Sequence, residues 1–183
     1  MNEANLEQTG AGLIPVEEGW FVLNVRDALW VTGEKFGSVC LFDGPNELFT
    51  QVGYRLRVLM PGQPNGMYHH EANQEDFLVL AGECLLLVEG EERRLRAWDF
   101  VHCPGGTDHI FVGAGTGPCV LFMAGSRENW PEGEGLFYPR SELALRHGAG
   151  VESETPDASV AYAGSPEWQP RPPDVDLPWA ENG

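Results

Sequence analysis

Side chains that can bind a metal ion are concentrated in one short stretch of this 183-residue sequence. His69, His70 and Glu71 are adjacent, Glu75 follows four residues after Glu71, and His109 comes later in the chain. Neutral imidazole and carboxylate groups suit divalent ions such as manganese, iron, nickel or zinc. Because alternate residues of a strand point to the same face, two ligands spaced two apart can reach one ion. The spacing therefore indicates a candidate site for a divalent transition metal.

Short apolar segments around these residues predict the strands that must position them. Turns rich in glycine separate the segments, which recur at intervals of about 8–12 residues, a pattern typical of an antiparallel barrel or sandwich. The predicted strands are residues 52–60, 77–80, 84–88, 93–98, 99–103, 109–112 and 118–124. The sequence therefore predicts an all-β fold.

The segment from Val52 to Met60 alternates clearly between apolar and other side chains. One face carries Val52, Tyr54, Leu56, Val58 and Met60, which predicts a half-buried strand, and Arg55 and Arg57 lie on the other face. We interpret the two arginines as surface charge. If their face were the barrel interior instead, they could hold an acidic substrate.

The two ends of the chain are predicted to be peripheral. We expect a single domain over residues 1–183, with a barrel core at 45–125 and a helical or extended C-terminal extension at 126–183. Ser141–His147 predicts a short helix, with Ser141 as its N-cap and Gly148 as its stop. Tyr162, Trp168 and Trp179 favour partial docking of the acidic tail. Before the core, the sequence predicts a poorly ordered lead-in at 1–19 and strands at 20–25 and from residue 28.

The formal net charge of −17 arises from 28 acidic and 11 basic residues. Such a field repels phosphate backbones and anionic lipids, so we expect neither nucleic acid nor a membrane as partner. No apolar run is long enough to span a bilayer, and the N-terminus lacks a signal-peptide pattern. We therefore expect a soluble, cytoplasmic protein.

The four cysteines, Cys40, Cys84, Cys103 and Cys119, form no Cys-x-x-Cys pair, and each lies in a strand-like apolar segment. This placement predicts reduced, buried thiols and argues against a disulfide framework or a zinc site. The chain also lacks a glycine-rich phosphate loop, a Gly-x-Ser-x-Gly elbow and the Cys/His spacing of a nucleophile.

The stretch Gly62–Gly82 resembles the first conserved motif of the cupin superfamily. In that motif a strand presents two metal ligands at alternate positions, a glutamate follows three or four residues later, and a glycine stands seven residues beyond the glutamate. Glu75 and Gly82 keep the last spacing. The resemblance implies a double-stranded β-helix, the jelly-roll barrel of cupins.

The second cupin motif is matched by Pro104, Gly106 and His109. Its usual opening glycine is replaced by Trp98 and its closing asparagine by Gly113, and neither change removes a ligand. The segments 74–80 and 98–104 resemble those of small single-domain bacterial cupins of the conserved-barrel type.

The resemblance implies a metal site with two alternative registers. In the first register Tyr68 and His70 are the alternate pair, and only His70 is a good ligand, with Glu75 and His109 completing the set. In the second register the ligands are His69, Glu71, Glu75 and His109. Two histidines and two carboxylates neutralise a divalent ion, so we favour the second set.

The function implied by the resemblance is that of a metalloenzyme acting on a small molecule in the barrel mouth, similar to a dioxygenase or an isomerase. The alternatives are a non-catalytic module that binds a small molecule and a structural metal site. An open polar pocket beside the ion is expected for the first two, and a closed shell for the third. Cupins commonly pair, so the resemblance also implies a homodimer, with Trp20 to Val31 as a candidate interface.

Overall fold

A computed structural model describes residues 2–44, 49–128 and 135–177 of the chain. Its named strands pair antiparallel throughout, which confirms the predicted all-β barrel. The strands are β1 (Leu6–Thr9), β2 (Gly12–Pro15), β3 (Leu29–Gly33), β4 (Gly37–Leu41), β5 (Val52–Leu59), β6 (His70–Glu71), β7 (Glu75–Ala81), β8 (Glu83–Val88), β9 (Glu91–Arg96), β10 (Phe100–Cys103), β11 (His109–Ala114), β12 (Cys119–Ser126), β13 (Leu136–Phe137) and β14 (Gln169–Pro170).

Two sheets build the barrel. The larger has seven strands in the order β10-β7-β12-β5-β4-β3-β14, and the smaller has three in the order β11-β8-β9. The short pair β6–β13 extends the smaller sheet, because a backbone bridge joins His69, next to β6, to His109 at the start of β11. This bridge brings the two histidine-bearing segments side by side.

The core lies between the two sheets and draws buried side chains from both. Phe77 of the larger sheet, for example, meets Phe111 of the smaller one, with ring centroids 4.6 Å apart. Three of the four cysteines belong to this core between the sheets. All four cysteines are buried and form no disulfide, as predicted. The buried members of the core are Leu59, Phe77, Val79, Cys84, Leu86, Cys103, Phe111, Cys119 and Leu121.

The outer faces of both sheets are also covered. On the larger sheet, Leu56 and Val58 belong to an outward-facing cluster with Trp30 of β3, which Leu23 and Leu177 cover from the segments before and after the sheet. On the smaller sheet, Ala144 of the helix α1 (Glu142–Arg146) packs against the outward-facing residues of β8 and β11. Because other parts of the chain cover both sheets, the face of a strand that points away from the barrel interior can also be apolar.

Two of the three predictions for the N-terminal segment are wrong, whereas the strand expected from residue 28 is present as β3. Residues of the expected lead-in form the hairpin β1–β2, and the Leu13 N–H donates to the Asp27 carbonyl at 2.6 Å. The segment 20–25 is no strand, because only Trp20 pairs, through a single bridge to Glu3. The Thr9 hydroxyl closes the turn between the two strands by donating to the Gly12 carbonyl at 2.6 Å, and the acidic composition does not prevent this pairing.

The C-terminal extension follows the prediction more closely. The Ser141 hydroxyl caps α1 by accepting the Ala144 N–H at 3.3 Å. Tyr162, just after the helix α2 (Ala158–Ala161), and Trp168 both pack against Phe36, while Trp179 lies outside the described residues. Within the described ranges, no helix has the length and hydrophobicity needed to cross a bilayer.

Candidate metal centre

The backbone fixes two of the candidate side chains next to each other. The His69 and His109 backbones exchange two hydrogen bonds, of 3.2 and 2.8 Å, so the two residues are directly opposite in register. Opposed residues of an antiparallel pair point to the same face. Their ring centroids accordingly lie 5.4 Å apart. Glu71, two residues after His69, points to this face as well.

The turns around the site depend on the glycines of the two motifs. Gly82 has a φ of 72°, and a Cβ there would come within 2.2 Å of the Pro118 carbonyl oxygen. Gly106 has a φ of 85°, and its N–H donates to the Glu71 carbonyl at 2.7 Å. These conformations favour glycine. The second turn ties the loop before His109 to the strand that carries Glu71.

Glu75 reaches the site from the facing sheet, as the first residue of β7. Its Oε2 atom lies 3.3 Å from the Nε2 atom of His109, and both residues are buried. That carboxylate oxygen is fully buried and accepts no hydrogen bond from the residues the structure describes. Since a buried carboxylate oxygen without a partner is energetically unfavourable, this position suits a cation.

Backbone carbonyls orient both imidazole rings. The Nδ1 atom of His69 lies 2.8 Å from the Met67 carbonyl, and Nδ1 of His109 lies 2.9 Å from the Thr107 carbonyl. A carbonyl only accepts, so each neutral ring carries its proton on Nδ1 and has its lone pair on Nε2. The two Nε2 atoms lie nearest the carboxylates, at 3.8 Å from Glu71 for His69. This arrangement of histidines is typical of metal sites.

The separations between the ligand atoms fit one ion closely. One ligand atom from each of His69, Glu71 and Glu75 lies within 4.8 Å of the others. Two ligands of one transition metal are at most about 4.2 Å apart, so small side-chain movements complete the contact. His109 lies outside this group of three but reaches it through Glu75. Three residues of the favoured set thus form one group, and the fourth, His109, lies against Glu75.

The residues of the other register have different partners. The Nδ1 atom of His70 lies 2.6 Å from the Asp108 carboxylate, and its ring stacks on Phe137. Tyr68 packs on the outer face of the smaller sheet, and its hydroxyl accepts the Gly90 N–H at 3.3 Å. Neither side chain joins the cluster around Glu75.

Burial shifts two of the pKa values in opposite directions. It raises the pKa of Glu75 to about 7, and the nearby charge of Glu71 adds to this, while His69 opposes it. Burial, together with His69, lowers the pKa of His109 to about 4. In both residues the uncharged form is favoured, as expected where a group lacks a compensating counter-charge.

A cavity of about 320 Å³ opens directly beside these residues. Its wall contains His69, Glu71 and Glu75 together with Arg55, Arg57, Arg127, Tyr138 and Tyr162. The volume is in the range of small-molecule sites. The tyrosines come from the C-terminal extension, which therefore contributes to the wall of the cavity.

The interpretation of Arg55 and Arg57 as surface charge is wrong. Both line the cavity inside the barrel, because the apolar face of β5 packs outwards under the N-terminal and C-terminal segments. Leu59 is the residue of the sequence that could have indicated the inward face. It lies on the same face as the two arginines and belongs to the core between the sheets. Alternation identifies two faces but does not say which one points inwards.

The comparisons with known proteins agree with this fold. The family model described as "Cupin domain" matches residues 55–125. No curated protein matches the chain. Among solved structures, the chain is similar to a sugar phosphate isomerase from the cupin superfamily of Silicibacter pomeroyi DSS-3, with 23% identity over 58% of this chain and 75% of that one, at a TM-score of 0.50.

Two other structures are also similar. The polyketide cyclase RemF from Streptomyces resistomycificus has 16% identity over 60% of this chain and 81% of that one, at a TM-score of 0.51. A protein from Acidithiobacillus ferrooxidans ATCC 23270, named as a candidate sugar phosphate isomerase, has 28% identity over 42% of this chain, at a TM-score of 0.41. The match spans about half, 51%, of that protein's length. The family model identifies residues 55–125 as a cupin domain, and the likeness to the Silicibacter and Streptomyces structures shows that the chain has the cupin fold.

Proposed function

We propose that this protein binds one divalent transition metal through His69, Glu71, Glu75 and His109, and that it is a metalloenzyme acting on a small molecule in the barrel mouth. The observation that carries the proposal is the buried Oε2 atom of Glu75, which has no hydrogen-bond partner among the described residues and lies 3.3 Å from His109 Nε2. An ion bound there would satisfy this oxygen and both imidazole lone pairs. Manganese, iron, nickel and zinc all suit such a donor set.

The open cavity favours an enzyme or a binding module over a structural site. A structural ion has a closed shell of protein ligands, whereas a catalytic ion keeps a position for substrate. Here about 320 Å³ of space adjoins His69, Glu71 and Glu75. When bound, the ion supplies Lewis-acid or dioxygen chemistry, which corresponds to an isomerase-like or a dioxygenase-like reaction.

The protein's own residues would hold and orient the substrate. Burial raises the pKa of Tyr138, so its hydroxyl stays protonated at neutral pH and can donate a hydrogen bond into the cavity. The hydroxyl of Tyr162 accepts the Met67 N–H at 3.1 Å, which directs it towards the loop that carries His69. Gly66 lies beneath this hydroxyl, and a Cβ there would approach it to 2.8 Å. Both tyrosines limit the space in front of the ion.

The adjacent histidines provide a matched test of the ligand set. We expect purified wild-type protein, offered divalent ions and then dialysed, to carry close to one metal per chain by elemental analysis. His69→Ala should weaken metal binding roughly 100-fold, because a ligand is lost. His70→Ala should retain the wild-type metal content, since its side chain contacts Asp108 and Phe137 instead.

Two further variants extend this test to the facing strands. His109→Ala and Glu75→Gln should lose the metal, while His102→Ala, which removes an exposed hydrogen bond to Asp76, should not. Circular dichroism would establish that each variant is folded. Wild-type protein without stoichiometric metal, even after ions are offered, would refute the site and the enzyme proposal with it.

Metal affinity should fall as the pH is lowered. With a pKa of about 7, the Glu75 carboxyl is mostly protonated at pH 6, and the ion must displace that proton. Burial lowers the pKa of His69, but the hydrogen bond and charge of Glu71 and the charge of Glu75 raise it overall, so this ligand must also lose a proton in acid. We expect calorimetric titration with Ni²⁺ to give binding that weakens at least about tenfold per pH unit well below 7, with between about one and two protons released per ion at pH 6. A binding constant that stays flat between pH 8 and pH 6 would contradict this role of Glu75.

We also propose that the protein forms a homodimer. Within the candidate interface, Trp20 and Val22 are 52% and 81% exposed, whereas Ala28 and Trp30 are buried within their own chain. A second copy that covered these two side chains would remove apolar surface from water. Light scattering should give twice the chain mass of 20.1 kDa, and Val22→Glu should shift the protein towards monomer. Val160→Glu is the control, because Val160 is exposed on α2, outside the candidate interface. A wild-type protein that is monomeric at roughly 50 µM, a concentration at which weak interfaces form, would contradict the proposal.

We also propose that the protein is located in the cytoplasm. The four cysteines are free and buried, and Cys84 and Cys119 are close enough to share a thiol hydrogen bond. Neighbouring thiols stay reduced in a reducing compartment. The unpaired cysteines are the support for this location.

A further inference from the structure

Arg57 is an unusual residue in this cavity. It lies on β5 and faces the barrel interior, on the same side of the strand as Leu59. Its Nε and Nη1 atoms are buried, and neither has a hydrogen-bond partner among the residues the structure describes. Buried guanidinium groups are normally paired with a carboxylate or with carbonyl oxygens. The structure therefore contains donors that no part of the described chain uses.

The charges around Arg57 leave an excess of positive charge. Asp43 lies 2.7 Å from Arg55 and 3.1 Å from Arg127, so one carboxylate serves two guanidinium groups. Arg57 has no carboxylate of its own and sits near the like charge of Arg55. Three arginines thus face one aspartate at this end of the cavity, although the whole chain has a net charge of −17.

Arg57 contacts an aromatic ring, which positions the guanidinium group but does not neutralise its charge. Its Cζ atom lies 5.2 Å from the ring centroid of Trp168, a cation–π contact. Burial lowers the pKa of Arg57 to about 10, and the group remains charged at neutral pH. The side chain is therefore a positioned cation that lacks an anion.

Arg57 also stands between two cavities. The cavity beside the candidate metal ligands and a second one of about 370 Å³ share Arg55, Arg57, Asn65 and Tyr162. The remaining wall of the second cavity is mostly apolar and consists of Val31, Val39, Leu41 and Trp168. A molecule that spans both cavities would pass the guanidinium on its way from a polar site to an apolar one.

We propose that Arg57 binds the carboxylate of a small organic acid whose apolar part occupies the second cavity, lined by Val31, Val39, Leu41 and Trp168. The acid is then the substrate class of the metal-dependent reaction, and this part of the inference rests on the proposed function. Guanidinium groups bind carboxylates through charge-assisted hydrogen bonds, which the free nitrogens of Arg57 can supply. The apolar wall favours an organic acid over a sugar phosphate, whose hydroxyls would lose hydrogen bonds there.

A purely structural role for Arg57 makes the opposite prediction for stability. If the guanidinium stabilised the barrel, replacing it with an apolar side chain of similar length would lower the melting temperature. An unpaired buried charge destabilises a fold, so Arg57→Met should melt at the wild-type temperature or above it. Stability and ligand binding should therefore change in different directions.

The test uses benzoate, its neutral isostere benzamide and inorganic phosphate as probes in calorimetric titrations of the full-length protein, both metal-free and Ni²⁺-loaded. We expect benzoate to bind wild type, and benzamide and phosphate to bind at least tenfold more weakly. Arg57→Met should weaken benzoate binding at least tenfold, with unchanged metal content and no loss of melting temperature. Arg94→Met, an exposed arginine on β9 paired with Glu83, should bind benzoate like wild type.

Each other outcome overturns part of the account. Equal affinity of wild type and Arg57→Met for benzoate, or no benzoate binding at 10 mM (about the weakest affinity that such a titration resolves), refutes the anion site while leaving the metal proposal intact. Binding of phosphate in place of benzoate refutes the assignment to organic acids. Arg57-dependent benzoate binding in a protein that takes up no metal supports the anion site and refutes the metalloenzyme. If Arg57→Met does not fold, the titrations are repeated with Arg57→Gln. The difference in wild-type affinity between benzoate and benzamide then also tests whether the site binds a negative charge.

Discussion

The alternation of side chains along paired strands determines what this barrel can hold. Three strands that line the interior each place a polar residue in the cavity or beside its ligands and an apolar residue two positions further along in the core, because alternate residues share a face. The inward pairs are Glu75 and Phe77 on β7, His109 and Phe111 on β11, and Arg57 and Leu59 on β5. One end of the interior is consequently a packed core, and the other end is a polar cavity.

The polar end is divided by charge. His69, Glu71 and Glu75 gather on one side, where an unpartnered carboxylate oxygen favours a cation. Arg57 stands on the other side, where unpartnered guanidinium nitrogens favour an anion. Each group is unfavourable when buried alone, and each is compatible with the fold if a ligand completes it. A metal ion and an organic acid together would supply both missing charges.

The spacing of the residues predicted much of this structure, and its limits have physical reasons. Strands β5 and β7 to β12 follow from the alternation and the glycine turns, and Glu75 and His109 belong to both sequence registers. The sequence could not decide between His69 and His70, because the decision depends on the backbone bridge from His69 to His109, a contact between distant segments. The face that carries Arg57 was interpreted as solvent-exposed for a similar reason: the cover on the opposite face of β5 comes from the two ends of the chain.

The central claim is that His69, Glu71, Glu75 and His109 share one ion inside the barrel. The most direct measurement is an anomalous difference map from crystals of nickel- or zinc-loaded protein, with data collected on both sides of the metal's absorption edge. The account predicts one peak per chain at about 2.0–2.2 Å from the Nε2 atoms of both histidines and from a carboxylate oxygen of each glutamate. A peak bound by His70 and Asp108 instead, or no peak in the barrel, would contradict it.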